Sequence, residues 1–440
     1  MPIYKIMGMH TVGRMRKRIF PLAAGALLGI GLSPFAVHFA LFWGLFPNRD
    51  LSHASSYVQE VMEIVNDNYI DPPSAAYDRL ARSAIHGMVE TLDPHSEYLE
   101  SKDNEQLEDD LSGEFGGIGI QVEVRDGHVY VISPMKGTPS DRAGVRSGDE
   151  ILSIDGKAVD GDAPMNDVVD RLRGAPRTVV EVVTYRASTR QRLDLRLTRE
   201  IIKTDSIADA RVLPGGIGYI ELTDFSEHTG QQFDDALDGL LKKNISGLVL
   251  DLRDNPGGLL DSAVDVAEPF FRKGELIVYT QGRHPDDRED YRAEADGDPV
   301  DLPVAVLINE ETASAAEIVT GALKDTGRAV IVGERSFGKG SVQSIFKLKN
   351  GEGLRLTTAH YFTPSGVSIH EKGIAPQVEV VMSLTEDEKL RNQRARRDIA
   401  DPVEFRKRFG FEPISDRQLQ AAVDVIRGVC LLDGQAAGAR

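Results

Sequence analysis

Four short and largely apolar runs in the second half of the chain constrain its fold more than any other feature. Between them lie segments of helical periodicity, such as the one in which Phe233, Leu237 and Leu240 recur at four- and three-residue spacing. Strands buried on both faces read as apolar runs, and their alternation with helices favours an α/β core with a largely parallel sheet. The runs are Ile217–Leu222, Leu248–Leu252, Val304–Ile308 and Ala329–Val332.

Residues 113–197 have a different texture, in which short strand-like segments are separated by tight turns. The dipeptide Asp126-Gly127, placed between Ile118–Val124 and Val129–Ile132, is a strong signal for a β-hairpin. A helix is expected over Met165–Leu172, among further strands. These features predict a β-rich domain of about ninety residues ahead of the α/β core.

Helical patterns flank both of these regions. Two helices are predicted between residues 57 and 90, where Pro72-Pro73 interrupts the pattern, and others over residues 386–397 and 418–431. The predicted regions are residues 1–47 (a signal segment), 48–112 (a helical N-terminal region), 113–200 (the β-rich domain), 201–384 (the α/β core) and 385–440 (a C-terminal helical region).

The N-terminal region predicts export. A basic cluster from Arg14 to Arg18 precedes a run from Ile19 to Phe46 that contains no charged residue. This order is typical of a signal segment, and about 20 apolar residues suffice to span a bilayer. We expect an uncleaved signal anchor in the inner membrane, with a cleaved signal peptide as the alternative. In both cases the basic flank stays in the cytoplasm and the remainder is exported.

The overall charge and the motifs that are missing exclude several functions. A formal net charge of −18 argues against a nucleic-acid partner, because phosphate binding needs basic patches. The single cysteine, Cys430, reads as a small apolar side chain and allows no intramolecular disulfide. No metal-binding spacing of Cys and His and no phosphate-binding glycine loop occurs in the sequence. We therefore expect neither a metal nor a cofactor.

Ser314 is the first candidate for catalysis. It lies between the apolar run that ends at Ile308 and a predicted helix. The start of a helix offers unpaired N–H groups and a positive dipole end, which would stabilise the oxyanion formed when a carbonyl is attacked. The local alternative is structural, because Ser314-Ala-Ala-Glu317 is a capping box and most serines in this motif only cap the helix.

Lys339 is the candidate base for that serine. A lysine accepts a proton only when neutral, so burial would have to lower its pKa from about 10.4. Gly338 and Gly340 would let the backbone turn tightly and direct the amine inward. The alternative is a solvated lysine in a turn. His360 and His370 are the nearest histidines downstream, and neither has the context of a catalytic triad.

Two further elements could complete such a site. Gln343 lies four residues after Lys339, a spacing that returns to the same face of an extended segment, so its amide could orient the amine. The segment from Asp251 to Gly258 ends in a Pro-Gly-Gly turn that could present N–H groups to a substrate carbonyl. The alternative for this segment is an ordinary strand-to-helix loop.

Taken together in this order, these segments resemble the carboxy-terminal processing proteases, also called tail-specific proteases. The resemblance extends from about Tyr57 to Leu431 and is specific, since seven motifs match in order. The motifs are LDPHSEYL (92–99), GGIGI (116–120), residues 144–154 with SGDEI, LRDNPGGLL (252–260), ETASAAEI (311–318), GERSFGKGSVQ (333–343) and YFTPSGVSIHEKGIAPQVEV (361–380). Val367, His370 and Gln377 depart from the family pattern, where Arg, Gln and Asp are expected.

The resemblance implies a crotonase/ClpP-like α/β protease core with an inserted PDZ domain and helical N- and C-terminal segments. It implies that Ser314 is the nucleophile, Lys339 the general base and Gln343 the partner that orients the lysine. The N–H of Ala315 and that of either Gly257 or Gly258 would form the oxyanion hole.

For the PDZ domain, the resemblance implies that a loop receives the terminal carboxylate of a protein substrate. Arg173 would couple peptide binding to the active site. The protein would act on the periplasmic side of the bacterial cell envelope, anchored in the inner membrane through its N-terminal segment. A homo-oligomer is expected, with the helices at 57–90 and 418–431 as assembly surfaces, and the need for an adaptor protein stays open. The carboxylate loop comprises Gly117, Ile118, Gly119 and Ile120.

Two other functions are compatible with parts of the sequence. A catalytically silent scaffold would bind protein tails without cutting them. An acyl-CoA enzyme of the crotonase type would share the core architecture, but the PDZ-like domain and the export signal argue against it.

Overall fold

A computed structural model describes residues 48–125, 127–159 and 164–438, so the predicted signal segment lies outside the described residues. The chain divides into two units, Met1–Met88 and Val89–Arg440. Helix α1 (Arg49–Asn68) begins where the Asn48 side chain accepts hydrogen bonds from the N–H groups of the first turn. A short 3-10 turn, Pro72–Ala75, separates it from α2 (Tyr77–Glu90), as the proline pair predicts. Among the described residues, no helix is both long and apolar enough to cross a membrane.

The β-rich domain is a six-stranded antiparallel sheet in the order β3-β4-β5-β7-β8, with β6 paired to β5. Its chain enters and leaves through β2 and β9, which pair with each other. The elements of this part of the chain are β1 (Glu97–Leu99), α3 (Ser101–Ser112), β2 (Glu114–Gly117), β3 (Ile120–Arg125), β4 (His128–Pro134), α4 (Pro139–Arg142), β5 (Glu150–Ile154), β6 (Lys157–Ala158), α5 (Met165–Leu172), β7 (Val179–Arg186), β8 (Gln191–Thr198) and β9 (Glu200–Lys203).

Alternating burial explains why these strands form a half-covered sheet. On β7, Val180 and Val182 are buried, while Val179 and Glu181 beside them are exposed. They pack with Val168 and Leu172 on the inner face of α5. Helix α5, which the sequence predicted between the strands, therefore covers one face of the sheet.

The α/β core is a six-stranded sheet in the order β10-β11-β12-β15-β16-β19. It is parallel from β11 to β19, and β10 pairs antiparallel with β11 at one edge. Its elements are β10 (Ile207–Leu213), β11 (Ile217–Leu222), α6 (Thr229–Leu241), β12 (Gly247–Asp251), α7 (Leu260–Ala267), β13 (Leu276–Gly282), β14 (Arg288–Arg292), β15 (Val304–Ile308), α8 (Ala315–Asp325), β16 (Ala329–Gly333), β17 (Ser341–Lys347), β18 (Gly353–Phe362) and β19 (Val378–Glu379).

Both faces of this parallel sheet are covered. Leu250 and Val306 face one way, into a cluster with the helices α6, α7 and α8. Val249 and Ala305 face the other way, against Ile426 of the last helix. Because the side chains on both faces of these strands are buried, nearly every residue of each strand is apolar. The C-terminal helices are α9 (Leu384–Ala395), α10 (Pro402–Phe409) and α11 (Arg417–Gly438).

A second, antiparallel sheet lies beside the parallel one and was not predicted. It has the order β1-β18-β13-β14, with β17 paired to β18. Gln343 lies on β17 of this sheet, and Lys339 lies in the loop directly before β17. The first sheet therefore presents the serine, and the second presents the groups that surround the lysine.

Candidate active site

Ser314 lies at a sharp corner between strand β15 and helix α8. Its φ of 53° and ψ of −118° are seldom adopted by a residue with a side chain, and such strained positions cluster at functional sites. Two hydrogen bonds hold the residues before Ser314 to the chain that follows β12. Thr312 Oγ1 donates to the Leu252 carbonyl at 2.8 Å, and the Ala313 N–H donates to the Asn255 carbonyl at 2.9 Å. A serine on a strained strand-to-helix turn exposes its hydroxyl, as nucleophilic serines require.

Glu317 joins the corner at Ser314 to the lysine loop, which is the segment of residues 334–340 between β16 and β17. Its Oε2 accepts hydrogen bonds from the N–H of Ser314 at 3.0 Å and from the N–H of Lys339 at 2.8 Å. Its Oε1 accepts from the Gly338 N–H at 2.8 Å and from Ser336 Oγ at 2.5 Å. Burial raises the pKa of this carboxyl group, and the four hydrogen bonds act in the opposite direction. The sequence predicted Glu317 only as a helix-capping residue, because its contacts with residues 336–339 join segments that are about twenty positions apart in the chain.

Lys339 and Ser314 line the same cavity, which has a volume of about 440 Å³. Burial lowers the pKa of Lys339, the nearby Arg355 guanidinium lowers it further, and Glu317 partly opposes both effects. The lysine loop also contains Gly338, whose φ of 95° favours glycine. Within the described chain, no hydrogen bond joins Ser314 Oγ to Lys339 Nζ. The lysine therefore has the environment of a base, and the two groups share one cavity.

Gln343 lines the cavity, but its amide is engaged by its own sheet. Its Nε2 donates to Ser341 Oγ at 2.9 Å and, more weakly, to Thr357 Oγ1 at 3.5 Å. The predicted role of Gln343 as the partner of the lysine amine stays a prediction.

Tyr361 is a site residue that the analysis of single motifs missed. Its hydroxyl donates to the backbone carbonyl of Lys339 and lies 3.1 Å from the carbonyl of Ser314. It is buried and belongs to β18. The only sequence signal was its position at the start of the matched segment 361–380. Tyr361 thus holds the backbone of both candidate catalytic residues from the side opposite to their N–H groups.

The glycine turn lies directly against the serine. A Cβ at Gly257 would lie 2.7 Å from Ser314 Cβ and 2.8 Å from the Ala315 nitrogen, so only glycine fits. The Gly257 N–H donates to Asn255 Oδ1 at 2.9 Å. The N–H groups of Gly258 and Ala315 donate to no described residue. Of the two glycines that sequence analysis left open, Gly258 is therefore the one with an available donor.

The strand end beneath this turn holds a buried ion network. Arg253, of which the side chain is 1% exposed, pairs with Asp251 and, at 2.8 Å, with Asp416 at the start of helix α11. Tyr219 donates its hydroxyl to Asp251 at 2.8 Å. Burial alone would raise the pKa of Asp251, but the Arg253 guanidinium holds it well below its usual range. The base of the glycine turn is thereby fixed to the C-terminal helices.

The predicted carboxylate loop of the β-rich domain has the geometry of an anion site. Gly119 has a φ of 70°, and its carbonyl accepts hydrogen bonds from the Met135 N–H at 2.9 Å and from Ser140 Oγ at 2.6 Å. The N–H groups of Ile118 and Gly119 donate to none of the residues that the structure describes. Strand β3, which follows the loop, is the edge strand of its sheet. A chain terminus can therefore pair with β3 while its carboxylate meets free N–H groups.

Arg173 lies against Phe115, which comes two residues before this loop in the chain. Its guanidinium stacks on the Phe115 ring at 4.4 Å from the centroid. It also lies near Asp109 and Asp110 on α3, whose pKa values are raised by burial and lowered by this arginine. Arg173 thus lies at the junction between the β-rich domain and helix α3, and its predicted coupling role stays a prediction.

Comparisons with known proteins agree on one family. The model of peptidase family S41 matches residues 216–380, and that of the PDZ domain matches residues 116–197. The carboxy-terminal-processing protease of Bartonella bacilliformis is 40% identical over 385 residues, covering 84% of this chain and 87% of that protein. The carboxy-terminal processing protease CtpA of Bacillus subtilis is 38% identical over 303 residues, covering 69% of this chain and 64% of that protein.

Among solved structures, the photosystem II D1 C-terminal processing protease matches with a TM-score of 0.43 and 31% identity, covering 73% of this chain and 92% of that chain. The family matches on both domains and the identity over most of the chain lead to one assignment. The chain is a serine peptidase of family S41 with a PDZ domain, and it belongs to the carboxy-terminal processing proteases.

Proposed function

We propose that Ser314 and Lys339 form the catalytic dyad of this protease. Neutral Lys339 Nζ takes the proton of Ser314 Oγ as the oxygen attacks the carbonyl carbon of the scissile peptide bond. The resulting oxyanion accepts hydrogen bonds from the N–H groups of Ala315 and Gly258. The C–N bond then breaks, and the leaving amine takes the proton from Lys339. Water hydrolyses the acyl-enzyme ester with the same lysine as base.

One observation carries this proposal. The Glu317 carboxylate accepts hydrogen bonds from the backbone of both Ser314 and Lys339. Nucleophile and base therefore extend from one rigid unit, and both face the cavity in which burial lowers the pKa of Lys339. Gln343 lines the same cavity. It would orient the amine once Lys339 turns toward Ser314.

The test is a pair of substitutions, Ser314→Ala and Lys339→Ala, assayed on an unstructured protein such as β-casein. Each should lower the cleavage rate by at least about 10³-fold, as loss of a nucleophile or base does in serine proteases. Lys347→Ala is the matched control, because Lys347 is an exposed lysine on the adjacent strand β17 that pairs with Glu108. Cleavage by Lys339→Ala at the rate of the control would refute the dyad, and cleavage by Ser314→Ala would refute the assigned nucleophile.

The substrate class follows from the PDZ domain. A protein tail would pair with the free edge of β3 and place its carboxylate at the loop of residues 117–120. Its binding would favour an active arrangement in which Lys339 reaches Ser314, to the extent that the tail prefers that arrangement. An enzyme that cleaves amidated and free-tailed forms of one unstructured substrate at equal rates would contradict this gating.

Location and assembly complete the proposal. The charge-free run of residues 19–46 supports export to the periplasmic side of a bacterial envelope with the inner membrane as anchor. Helix α1 exposes Leu51, Tyr57 and Ile64, which supports assembly into a homo-oligomer. Fractionation of the native envelope and light scattering of the purified protein test these points. Co-purification with the Ser314→Ala form would identify substrates or an adaptor.

A further inference from the structure

Helix α9 binds the proposed oxyanion loop, which comprises residues 252–258 after strand β12 and ends in Gly257 and Gly258. Asp254 has a φ of 60° and lies three residues before Gly257. Its carboxylate pairs with Arg394 and, at 3.5 Å, with Arg391, both of which belong to α9. Asn309 donates to the same carboxylate at 2.7 Å. The position of this loop therefore depends on the helix as well as on the sheet.

Arg394 is the central cation of this contact. Its side chain is 13% exposed and lies 3.6 Å from Glu221 and 3.9 Å from Asp251, in addition to its pair with Asp254. Three carboxylates at the ends of β11, β12 and the loop thus share one arginine. A shift of α9 would change the electrostatic balance of all three, because charges that are partly withdrawn from water interact strongly.

The chain that follows α9 binds the PDZ domain. Arg396, which is 6% exposed, lies 3.6 Å from Glu123 and also forms two hydrogen bonds with Asp398, at 2.9 and 3.0 Å. Arg408, on α10, pairs with the other carboxylate oxygen of Glu123. Glu123 therefore pairs with two arginines of the C-terminal region, one directly after α9 and one on α10.

Glu123 belongs to β3, the strand whose free edge is available to a substrate tail. Ile120 and Val122 of this strand pack against the PDZ core, so alternation directs Glu123 to the opposite face. Between that face and α9 lies a cavity of about 820 Å³, lined on its two sides by Gln121 and Arg391, among others. The PDZ domain and the C-terminal region are therefore joined at Glu123 by ion pairs, and the cavity leaves room for β3 and α9 to move relative to each other.

We propose that residues 391–408 couple the tail-binding strand β3 to the oxyanion loop, with Arg408 as a positioning residue that acts through Glu123. The inference rests on the proposed activation by tail binding. When a tail pairs with β3, the strand shifts and moves the Glu123 carboxylate. Arg396 and Arg408 follow it, and α9 transmits the change through Arg394 to Asp254.

The experiment supplies the tail as a separate molecule, so that activation is measured apart from tethering. The reporter is a short internally quenched peptide with an amidated C-terminus. The activator is a decapeptide with apolar last residues and a free carboxylate, and its amidated form is the negative control. The stimulation factor is the kcat with activator divided by the kcat without it. For the wild-type protein this factor should lie within the usual coupling range of about 5- to 150-fold.

In the Arg408→Gln protein the stimulation factor should fall toward one, while basal kcat stays as in the wild-type protein. The Kd of the activator, measured by fluorescence anisotropy in a Ser314→Ala background, should not change. Arg408→Lys keeps the charge and should retain most of the stimulation. Arg406→Gln is the matched control on the same helix, since Arg406 is 67% exposed and pairs at 2.8 Å only with Glu412 among the described residues. It should behave as the wild-type protein.

Glu123→Gln tests the same contact from the other side and replaces Arg408→Gln if that variant does not fold. Unchanged stimulation in both variants would overturn the coupling and leave tail gating intact. Loss of stimulation together with loss of activator binding would also overturn it, since the arginine would then serve only the binding strand. A wild-type enzyme that cleaves the reporter without any stimulation would contradict the gating itself, and the coupling with it.

Discussion

Ser314 is strained, and the residues around it hold it in place. Its left-handed backbone costs about 1–3 kcal/mol in most settings. Two neighbours offset that cost, since Glu317 accepts its N–H and Tyr361 lies against its carbonyl. From their motifs, sequence analysis predicted catalytic roles for Ser314 and Lys339. It could not identify Tyr361, because the pairing of residues 47 positions apart is set by the second sheet.

Gly257→Ala should abolish most of the activity. The added Cβ would lie 2.7 Å from both Ser314 Cβ and the Ala313 carbonyl oxygen, so the turn or the serine must move. Displacement of catalytic groups by about 1 Å can cost 10²-fold in rate, and we expect at least that loss in kcat/KM. Gly274→Ala is the control for backbone strain, since Gly274 has a φ of 84° and nothing lies within 4 Å of an added Cβ.

The control should lose about 1–2 kcal/mol of stability and keep its activity. Steady-state kinetics and urea unfolding of the two variants separate the contact from the strain. Equal kinetics for both variants would mean that the close approach to the serine has no catalytic importance.

Activity should rise with pH as Lys339 loses its proton. Since burial lowers the pKa of Lys339, the midpoint of kcat/KM should lie below the usual lysine value. Arg355→Gln removes a neighbouring cation, which raises that pKa, so the midpoint should move to higher pH. Arg335→Gln is the control, an exposed arginine that donates to the Lys372 carbonyl. A midpoint that stays in place or falls in Arg355→Gln would contradict lysine as the titrating base.

At the scale of elements, apolar runs predicted the parallel sheet almost residue by residue. The run Val304–Ile308 is strand β15 without any change of bounds. The antiparallel sheet escaped prediction because its strands are only partly covered. In strand β18, Thr357 and Thr358 follow one another and break the alternation of polar and apolar residues, and most residues of the strand are of intermediate burial. A strand is recognised in a sequence when buried apolar residues alternate with exposed polar ones, and the residues of β18 differ little in burial.

Glu317→Gln tests the link between helix α8 and the lysine loop. The carboxylate accepts four hydrogen bonds, and an amide would place its NH₂ group against backbone donors. An unsatisfied buried donor costs about 1–3 kcal/mol, so the free energy of unfolding should fall by that amount. The kcat should fall as well, because the amide keeps only one of the two acceptor oxygens that join Ser314 to the backbone of residues 336–339.

Glu310→Gln serves as the control and should change neither quantity, because Glu310 is an exposed residue of the loop between β15 and α8. Urea unfolding and peptide kinetics on both proteins make the comparison. Undiminished kcat in a stable Glu317→Gln protein would reduce Glu317 to the helix cap that the sequence motif suggested.

At the scale of the whole molecule, the C-terminal helices pack on the parallel sheet and bind the base of the glycine turn. Helix α11 covers one face of the parallel sheet, and Asp416 at its start pairs, together with Asp251, with the buried Arg253 beneath the glycine turn. The sequence did not predict α10, but charge and periodicity predicted helices over residues 386–397 and 418–431. Their partners could not be predicted, because Arg253 and Asp416 lie 163 residues apart.

Asp416→Asn should destabilise the protein by about 3 kcal/mol, which is typical of breaking a largely buried ion pair from one side. The matched variant Asp424→Asn lies on the same helix, where an exposed carboxylate pairs with Arg427 at 3.5 Å, and it should cost less than about 1 kcal/mol. Urea denaturation of both variants gives the difference. Equal midpoints would show that Arg253 does not depend on the C-terminal helices for its neutralisation.

The paired strands β2 and β9 have a consequence for engineering. Because the chain enters and leaves the PDZ domain through this one two-stranded ribbon, both cut points lie side by side. A domain of different preference could be spliced between residues 117 and 200 without touching the residues that hold Ser314. Tail preference can therefore be exchanged as a single block, as long as the incoming domain keeps an acidic residue at the position of Glu123, where Arg396 and Arg408 bind.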